Sequence, residues 1–547
     1  MPTIEIDGKK VSYEGKKMIL QVAQDNGIDI PSYCYHPGLS IVASCRICLG
    51  EIEAPDPKDP TKLLRVPKLV PTCQTPATDG MKVYTQSPKA RANQKAVMEF
   101  LLINHPLDCP VCDQAGECGL QDYSYQYGRG ESRFLEDKAK KPKKDVGDHI
   151  LLYSDRCIMC TRCVRFTREV SGTSELAVFG RGYKEEIDIF PGRPVNNPLA
   201  GNVVDLCPVG ALLDKDFLFT QRVWFLKSTP SISPINAGGE NIFIHHSDGR
   251  IYRIKPRQNL GVNKWWISDE TRYGFQFVHA ATRLRAPERI QYGSNAEIGW
   301  TAALKLAEDD LRGALAAAPA TNLVCLVSPF DGSEEIFLQI KYVRSLDPHA
   351  WIVVNPVRST GTDQVFKHPQ TGTVTYTLHA EKAPNRTGAE KIAAHFGGNL
   401  CSFADLAEKI KTKKIAAALL SADMLPTADE ENYGKILAGI NTIVRIGLRK
   451  GAAYEKATLS LPACSWAEKD GIYENAAGSI QAFVAAISPL HDSRSAGQIF
   501  WDLLGHTTPY SAAQTRSLMA AAGLPEYTQT PVPVGDVKVE EMQFAEL

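Results

Sequence analysis

Eleven of the fourteen cysteines in the chain fall between Cys34 and Cys207, in three groups whose spacing suits metal ligation. The first group is Cys34-x10-Cys45-x2-Cys48 followed by Cys73. Four thiolates satisfy a [2Fe–2S] cluster, and Cys45 and Cys48 are close enough in sequence to grip one iron. The first gap is longer than in plant-type ferredoxins, so the loop is enlarged; a four-cysteine zinc site would use the same donors. The second group is His105-x3-Cys109-x2-Cys112-x5-Cys118. It reads as a [4Fe–4S] site with one imidazole ligand, although a zinc knuckle uses the same ligand types and His105 could instead cap the preceding helix. The third group, Cys157-x2-Cys160-x2-Cys163, is the run that wraps three corners of a cubane. Thr167 stands where two-cluster ferredoxins place a further cysteine, so the fourth ligand is expected to be Cys207, directly before Pro208. Arg156, Arg162, Arg165 and Arg168 surround this loop and are expected mainly to form surface salt bridges, with tuning of the cluster potential as the alternative.

These donors need elements to hold them. Ile4-Glu5-Ile6 and Val11-Ser12-Tyr13 flank the turn Asp7-Gly8, which predicts a hairpin, and a short helix from Met18 to Gln24 should end near Asn26-Gly27. Strand-like Cys48 to Ile52 and Met81 to Tyr84 complete a small α+β unit, with Pro-rich residues 54–71 as a surface insertion. An amphipathic helix is expected from Ala90 to Leu102, stopped by His105-Pro106. Residues 106–220 are rich in Cys, Gly and Pro and poor in periodicity, as in segments that fold around metal. The lysine-rich run Lys138 to Lys144 reads as a solvated linker, with a docking surface for a partner subunit as the alternative. Beyond 222 the character changes. A second Asp-Gly hairpin is centred on Asp248-Gly249, and buried strand-like runs at Leu323–Val327, Trp351–Val354, Ala416–Leu420 and Thr442–Ile446 alternate with helical ones, one beginning at a cap near Ser333. That alternation predicts an α/β domain with a mostly parallel sheet, and the tail from about Thr528, with Pro531 and Pro533, is expected to be extended.

At 547 residues the chain exceeds one core, and its net charge of -1 gives no electrostatic reason to expect nucleic acid. No apolar run reaches the ~18 residues that cross a bilayer, and Met1-Pro2-Thr3 does not open a signal or transit profile. The expectation is an intracellular setting in which dense thiols bind metal instead of forming disulfides. No Walker A run, dinucleotide fingerprint, H-E-x-x-H or G-x-S-x-G is present, and His245 and His246, adjacent in a strand, should face opposite ways. Cys325, Cys401 and Cys464 are isolated and expected to be structural. No catalytic residue is expected.

The run from His105 through Asp108-Cys109-Pro110-Val111-Cys112-Asp113-Gln114-Ala115-Gly116-Glu117-Cys118, the run Asp155-Arg156-Cys157-Ile158-Met159-Cys160-Thr161-Arg162-Cys163 and the Cys207-Pro208 segment closely resemble the large iron–sulfur subunit of respiratory complex I, the NADH:quinone oxidoreductase. The later stretches Trp266 to Gly274 and Leu461 to Gly471 are similar to molybdopterin oxidoreductases. The resemblance implies an N-terminal β-grasp [2Fe–2S] ferredoxin-like domain over 1–85, a [4Fe–4S] module with one His and three Cys ligands over 86–145, and a [4Fe–4S] ferredoxin-like module over 146–221. A degenerate cluster domain over 222–290 and a molybdopterin-oxidoreductase-like α/β scaffold over 291–547 would follow.

The resemblance further implies one [2Fe–2S] and two [4Fe–4S] clusters, with no molybdopterin and no flavin. Some members carry a further cysteine cluster just after residue ~225, but Ser228 to Pro234 contains no Cys, so that site is expected to be empty. The implied role is to relay single electrons from a flavin/NADH-binding subunit toward the quinone-module iron–sulfur subunits. The chain would be a peripheral arm subunit on the cytoplasmic side of the bacterial inner membrane, or the matrix side if mitochondrial, meeting the membrane only through the complex. Alternatives are the cluster subunit of a soluble hydrogenase or formate dehydrogenase, or a zinc-stapled scaffold without redox activity. An imidazole ligand removes negative charge relative to thiolate and should raise the potential of its cluster. His105→Cys is therefore expected to lower one [4Fe–4S] midpoint in an EPR-monitored titration, and an unmoved or raised midpoint counts against His105 as a ligand.

Overall fold

A computed structural model of the chain describes residues 1–56, 58–291, 294–421, 427–528 and 537–538. Two compact units emerge, one containing Met1–Phe225 with Phe366–Tyr376, the other Leu226–Val365 with Thr377–Lys538. The tail expected to be extended lies, from 529, largely outside the described residues.

In the first unit β1 (Thr3–Ile6) and β2 (Lys9–Ser12) form the expected hairpin, with Asp7 and Gly8 both at positive φ. Asp7 also accepts hydrogen bonds from Thr85, so the turn is tied to the end of a distant strand. Helix α1 (Ile19–Asp25) buries Ile19, Leu20, Val22 and Ala23 against the sheet, and Gly27 at φ 63 lets the chain leave it. Strands β3 (Leu49–Asp56), β4 (Asp59–Arg65), β5 (Val70–Pro71) and β6 (Lys82–Tyr84) complete a six-stranded sheet in the order β2-β1-β6-β3-β4, with β5 on β3. The β1–β6 pair is parallel, which makes this a mixed β-grasp-like sheet under one helix. The Pro-rich insertion is thus largely a hairpin extension of β3 with β4.

Helix α2 (Pro88–Leu102) starts at Ser87, whose side chain accepts from the Ala90 N–H at 3.2 Å, with Pro88 in the first turn where no N–H is needed. Short elements follow: α3 (Gly119–Tyr127), β7 (Lys143–Asp145), β8 (Ile150–Tyr153), α4 (Arg162–Glu169), β9 (Leu176–Phe179), β10 (Glu186–Ile189), α5 (Asn202–Leu206) and β11 (Leu212–Asp214). The lysine-rich run is no free linker. Lys144 bridges Glu186 and Asp188, Lys141 donates to Glu185 O, and Lys138 donates to Leu102 O at 2.7 Å and Ile103 O at 3.0 Å, closing the C-terminus of α2.

In the second unit β12 (Lys227–Ile232), β13 (Asn241–Ser247) and β14 (Arg250–Pro256) form an antiparallel sheet around the Asp248-Gly249 turn. The register slips between His245 and His246, so the strict alternation expected for this pair is broken by a bulge and both rings are buried. After α6 (Asp269–Tyr273) come β15 (Glu288–Gln291), β16 (Ser294–Glu297), α7 (Trp300–Ala317), β17 (Asn322–Val327), α8 (Ser333–Leu346) and β18 (Trp351–Val354). The hairpin β19 (Gln364–Lys367) and β20 (Val374–Leu378) precedes β21 (Ile415–Ser421), β22 (Ile443–Gly447) and β23 (Leu459–Pro462). The main sheet runs β16-β15-β23-β22-β21-β17-β18, parallel from β23 to β18 and antiparallel at the β15–β16 edge. The cap of α8 is Gly332, one residue before the expected Ser333, because the Glu335 carboxylate returns to the Gly332 N–H at 3.0 Å.

Beside this sheet Arg283 and Glu468 form a two-pronged ion pair, at 2.9 and 3.2 Å, both nearly inaccessible to water. The same carboxylate accepts from the Ser465 and Leu490 N–H groups at 2.6 Å. Removing one partner of such a buried pair costs about 3–5 kcal/mol, because the other charge is left in low dielectric. Glu468→Gln is therefore expected to lower the denaturation midpoint of this unit by a corresponding amount in urea, and a midpoint unchanged from wild type contradicts the pair's role.

Candidate metal centres

The three cysteine groups all lie in the first unit. In the first, Cys34, Cys45 and Cys48 sit on the loop from α1 to β3, and Cys73 follows β5. Ala43 and Arg46 take left-handed backbone angles around Cys45, φ 51 and 59, which curl the loop back on itself. The Cys34 and Cys45 sulfurs are 3.5 Å apart, and Cys48 and Cys73 also share a hydrogen bond. The Cys34 charge acts on both Cys48 and Cys73, so the two pairs lie near each other. In each pair the shared hydrogen bond favours one thiolate, Cys34 or Cys48, and keeps the proton on the other sulfur, Cys45 or Cys73.

The second group hangs from the end of α2. Ala139 N donates to Asn104 Oδ1 at 3.1 Å, so the lysine-rich segment pins the residue before His105 as well as the helix end. Burial, with help from Arg156 and Lys138, pushes the His105 pKa down to about 4. Its imidazole is neutral at pH 7, the form that can ligate metal. Asp155 and Asp108 act on it in the opposite direction and are outweighed. Cys109 is exposed, Cys112 buried and Cys118 half-buried. The three sulfurs interact with one another, and Cys118 also feels Cys207 of the third group. Burial pushes Cys118 up to about 12.

The third group is the most closed. Cys157, Cys160, Cys163 and Cys207 line a single cavity whose other walls include Leu152, Ile158, Ile187, Val209 and Leu212. Met159 and Thr161 alternate with the cysteines at φ 55 and 59, and this left-handed alternation points the sulfurs inward before α4 begins. Burial pushes Cys157 up to about 12 and Cys160 to about 11, and raises Cys163 and Cys207 as well. Backbone N–H groups work in the opposite direction. Met159 donates to Cys157 at 3.4 Å, Arg162 faces Cys160, and Leu212, Val209 and Ala211 face Cys207. Such donors stabilise negative sulfur, but burial outweighs them, so these thiols stay protonated until a cation compensates them. The donor set therefore fits an iron–sulfur cluster: soft ligands, a dry cavity and amide dipoles aimed at sulfur. Among the described residues no three His, Cys, Asp or Glu side chains converge on a point that one ion could occupy.

Sequence reasoning missed two kinds of residue. Gly210, three beyond Cys207, lies so close to Cys112 that a Cβ there would overlap its sulfur, and it would meet the Gln114 Cβ at 3.1 Å. Pro208 O also accepts from the Gly119 N–H at 3.1 Å, so the second and third groups share a wall. The arginines are the other kind. Arg168 is exposed and pairs with buried Glu169, but Arg156 and Arg165 are each only 3 % exposed, which corrects the surface reading. Arg156 holds Asp108 at 2.7 Å and faces Gly210 O. Of the isolated cysteines, Cys325 and Cys464 are buried and Cys401 is half-buried.

Comparison with known proteins agrees with this partition. Family models match as a 2Fe-2S iron-sulfur cluster binding domain at residues 1–88, the NADH-ubiquinone oxidoreductase-G iron-sulfur binding region at 94–133, and the NADH-quinone oxidoreductase subunit 3 ferredoxin-like domain at 147–213. An NADH-ubiquinone oxidoreductase NDSU1/NuoG-like 4Fe-4S domain matches at 226–276, and molybdopterin oxidoreductase at 348–506. The chain is 42% identical over 304 residues to the mitochondrial NADH dehydrogenase [ubiquinone] iron-sulfur protein 1 of Solanum tuberosum, covering 55% of this chain and 39% of that protein. It is 42% identical over 300 residues to the NADH-ubiquinone oxidoreductase 75 kDa subunit of Reclinomonas americana, covering 55% and 42%. Over this matched part the chain is similar to the large iron–sulfur subunits of NADH-quinone oxidoreductase.

The matched part spans less than half the length of those two proteins. A solved NAD+-reducing [NiFe]-hydrogenase is also similar, at 26% identity and a TM-score of 0.36 over 41% of this chain and 91% of that one. The family matches bring [2Fe–2S] and [4Fe–4S] binding domains with them. The 226–276 match falls on a segment without a single cysteine, where Ser228 and Ser231 stand buried on β12.

Because a side chain at position 210 must displace the Cys112 sulfur, Gly210→Ala is expected to lose the iron of the second group while the binuclear EPR signal persists. A variant with wild-type iron content and all signals intact contradicts this shared wall.

Proposed function

We propose that this chain is the electron-relay subunit of an NADH:quinone oxidoreductase, taking single electrons from a flavin/NADH-binding subunit and handing them toward the quinone-module iron–sulfur subunits. Cys34, Cys45, Cys48 and Cys73 would hold one [2Fe–2S] cluster; His105, Cys109, Cys112 and Cys118 one [4Fe–4S] cluster; Cys157, Cys160, Cys163 and Cys207 a second. When bound, such clusters supply one-electron redox chemistry at potentials set by their surroundings. The observation that carries the reading is the third cavity, where four cysteines line one dry, apolar space with backbone N–H groups aimed at the sulfurs.

The residues' own tasks follow from that chemistry. The thiols must give up their protons on loading, and the amide donors then hold the resulting negative sulfurs. The apolar walls would exclude the water that could otherwise displace these thiolates from a bound cluster. The neutral His105 imidazole contributes a ligand without a charge, favouring a higher potential at the second site. Family boundaries are proposed at 1–85, 86–145, 146–221, 222–290 and 291–547. The last two parts are read as a scaffold without cluster, molybdopterin or flavin. On β12 five successive residues from Ser228 to Ile232 are buried and paired to β13, and the charged groups Lys469, Glu335, Arg283 and Glu468 are satisfied by one another. Among the described residues no helix is long and apolar enough to cross a membrane, which suits a peripheral arm subunit.

Anaerobically purified chain is expected to contain about ten irons with matching acid-labile sulfide and, reduced by dithionite, to give one binuclear and two cubane EPR signals. Zinc in place of iron, with no sulfide, overturns the proposal and leaves a stapled scaffold.

A further inference from the structure

Arg165 belongs to α4, two residues beyond Cys163, yet its side chain works on the first group as well. The guanidinium donates to Cys34 O, to Ser40 O and, at 3.3 Å, to Cys160 O. Two of these carbonyls belong to candidate ligands of different sites. One turn later on the same helix, Glu169 takes the Ser40 N–H at 2.9 Å and the Ser40 hydroxyl at 2.7 Å, so α4 clamps the loop of the first group from two points. Arg165 is buried, its Nε has no hydrogen-bond partner, and among the described residues no carboxylate lies within ion-pair distance of it. Three other buried cations are paired with carboxylates: Arg156 with Asp108, Arg283 with Glu468, Lys469 with Glu335. A buried cation without a carboxylate is costly unless negative charge stands near by another route. Here the guanidinium instead lies against the backbone of two candidate ligands, Cys34 and Cys160, with the Glu169 carboxylate one turn further along the same helix.

We propose that Arg165 is a shared positioning and tuning residue, whose fixed charge, held against the backbone of the first and third sites, raises the reduction potential of both. The proposal rests on the cluster reading above. A cation held between two sites stabilises the reduced, more negative state of each. The three carbonyl contacts fix the two loops to one guanidinium, so the spacing of the sites is set by a planar, rigid group that lysine cannot copy.

The experiment is an EPR-monitored redox titration of the full chain with its clusters, comparing wild type, R165M, R165K and R168M. In R165M the midpoints of the binuclear signal and of one cubane signal are expected to fall together, while the other cubane moves less. R168M, which removes an exposed charge three residues away, is expected to leave both in place. R165K keeps the charge but cannot reach all three carbonyls, so smaller shifts of the same sign are expected, and it carries the test if R165M does not load iron. Unmoved midpoints in the variant that carries the test, a shift at one site only, or equal shifts in R168M overturn the proposal. Wild-type protein without sulfide or EPR signals would overturn the cluster reading itself and is scored first.

Discussion

Taking sulfur out of water as thiolate is the constraint on which the first 225 residues depend. Thiolate ligates metal, but in the cavities around Cys118, Cys157, Cys160, Cys163 and Cys207 burial favours the neutral thiol. Amide dipoles reduce that penalty without removing it, and on the proposed reading positive iron would complete the balance. On that reading folding and loading would be coupled in this unit. That dependence explains its architecture. Between α2 and the second unit no helix exceeds nine residues and the strands are three or four residues long, because metal cages take over part of the role of a core.

The three sites are also bound to each other more tightly than their separation in sequence suggests. Gly210 gives its missing side chain to the Cys112 sulfur, Pro208 O takes the N–H of Gly119, and Arg162 donates to Tyr35 O at 2.6 Å. Each tie joins residues from two different groups. Tunnelling between redox centres is steep in distance, so a relay gains from contacts that fix spacing and loses from flexible linkers. The lysine-rich segment fits the same logic. Lys138 and Ala139 hold the end of α2 and Asn104, so the residue that follows, His105, is presented from a braced position.

Much of this was legible in the sequence because the signals are local. C-x2-C-x2-C dictates its own loop, Asp-Gly turns dictate hairpins, and runs such as Leu323–Val327 dictate buried strands, each found within a residue or two of its expected place. The partners joined across long intervals were not legible. Nothing near Arg165 in sequence says that it reaches Ser40, and composition places an arginine beside a charged helix on the surface. Gly210 carried a faint signal, since a glycine after Cys-Pro-Val in a metal loop invites the question of what occupies the space of its side chain. The Pro-rich insertion became a hairpin with β4 because β3 had an open edge to extend, a tertiary circumstance that its prolines obscure.

The second unit poses the converse question: what keeps an enzyme-like fold in place if it works only as a scaffold. A cofactor pocket normally carries polar groups that only the ligand satisfies, and the fold bears their cost. Here the strongest charges answer to one another. Lys469 stands 2.6 Å from Glu335, Glu334 takes the Ile472 N–H at 3.0 Å and the Arg516 guanidinium at 2.9 Å, and Glu474 accepts from the Tyr527 hydroxyl at 2.9 Å. The contacts of Glu334 and Glu335 join α8 to segments more than 130 residues later, around the β17-to-β23 core in which Cys325, Leu419 and Val444 are buried. A network satisfied within the chain stabilises the fold independently of any ligand. Such a network is what a domain kept for its shape would be expected to retain.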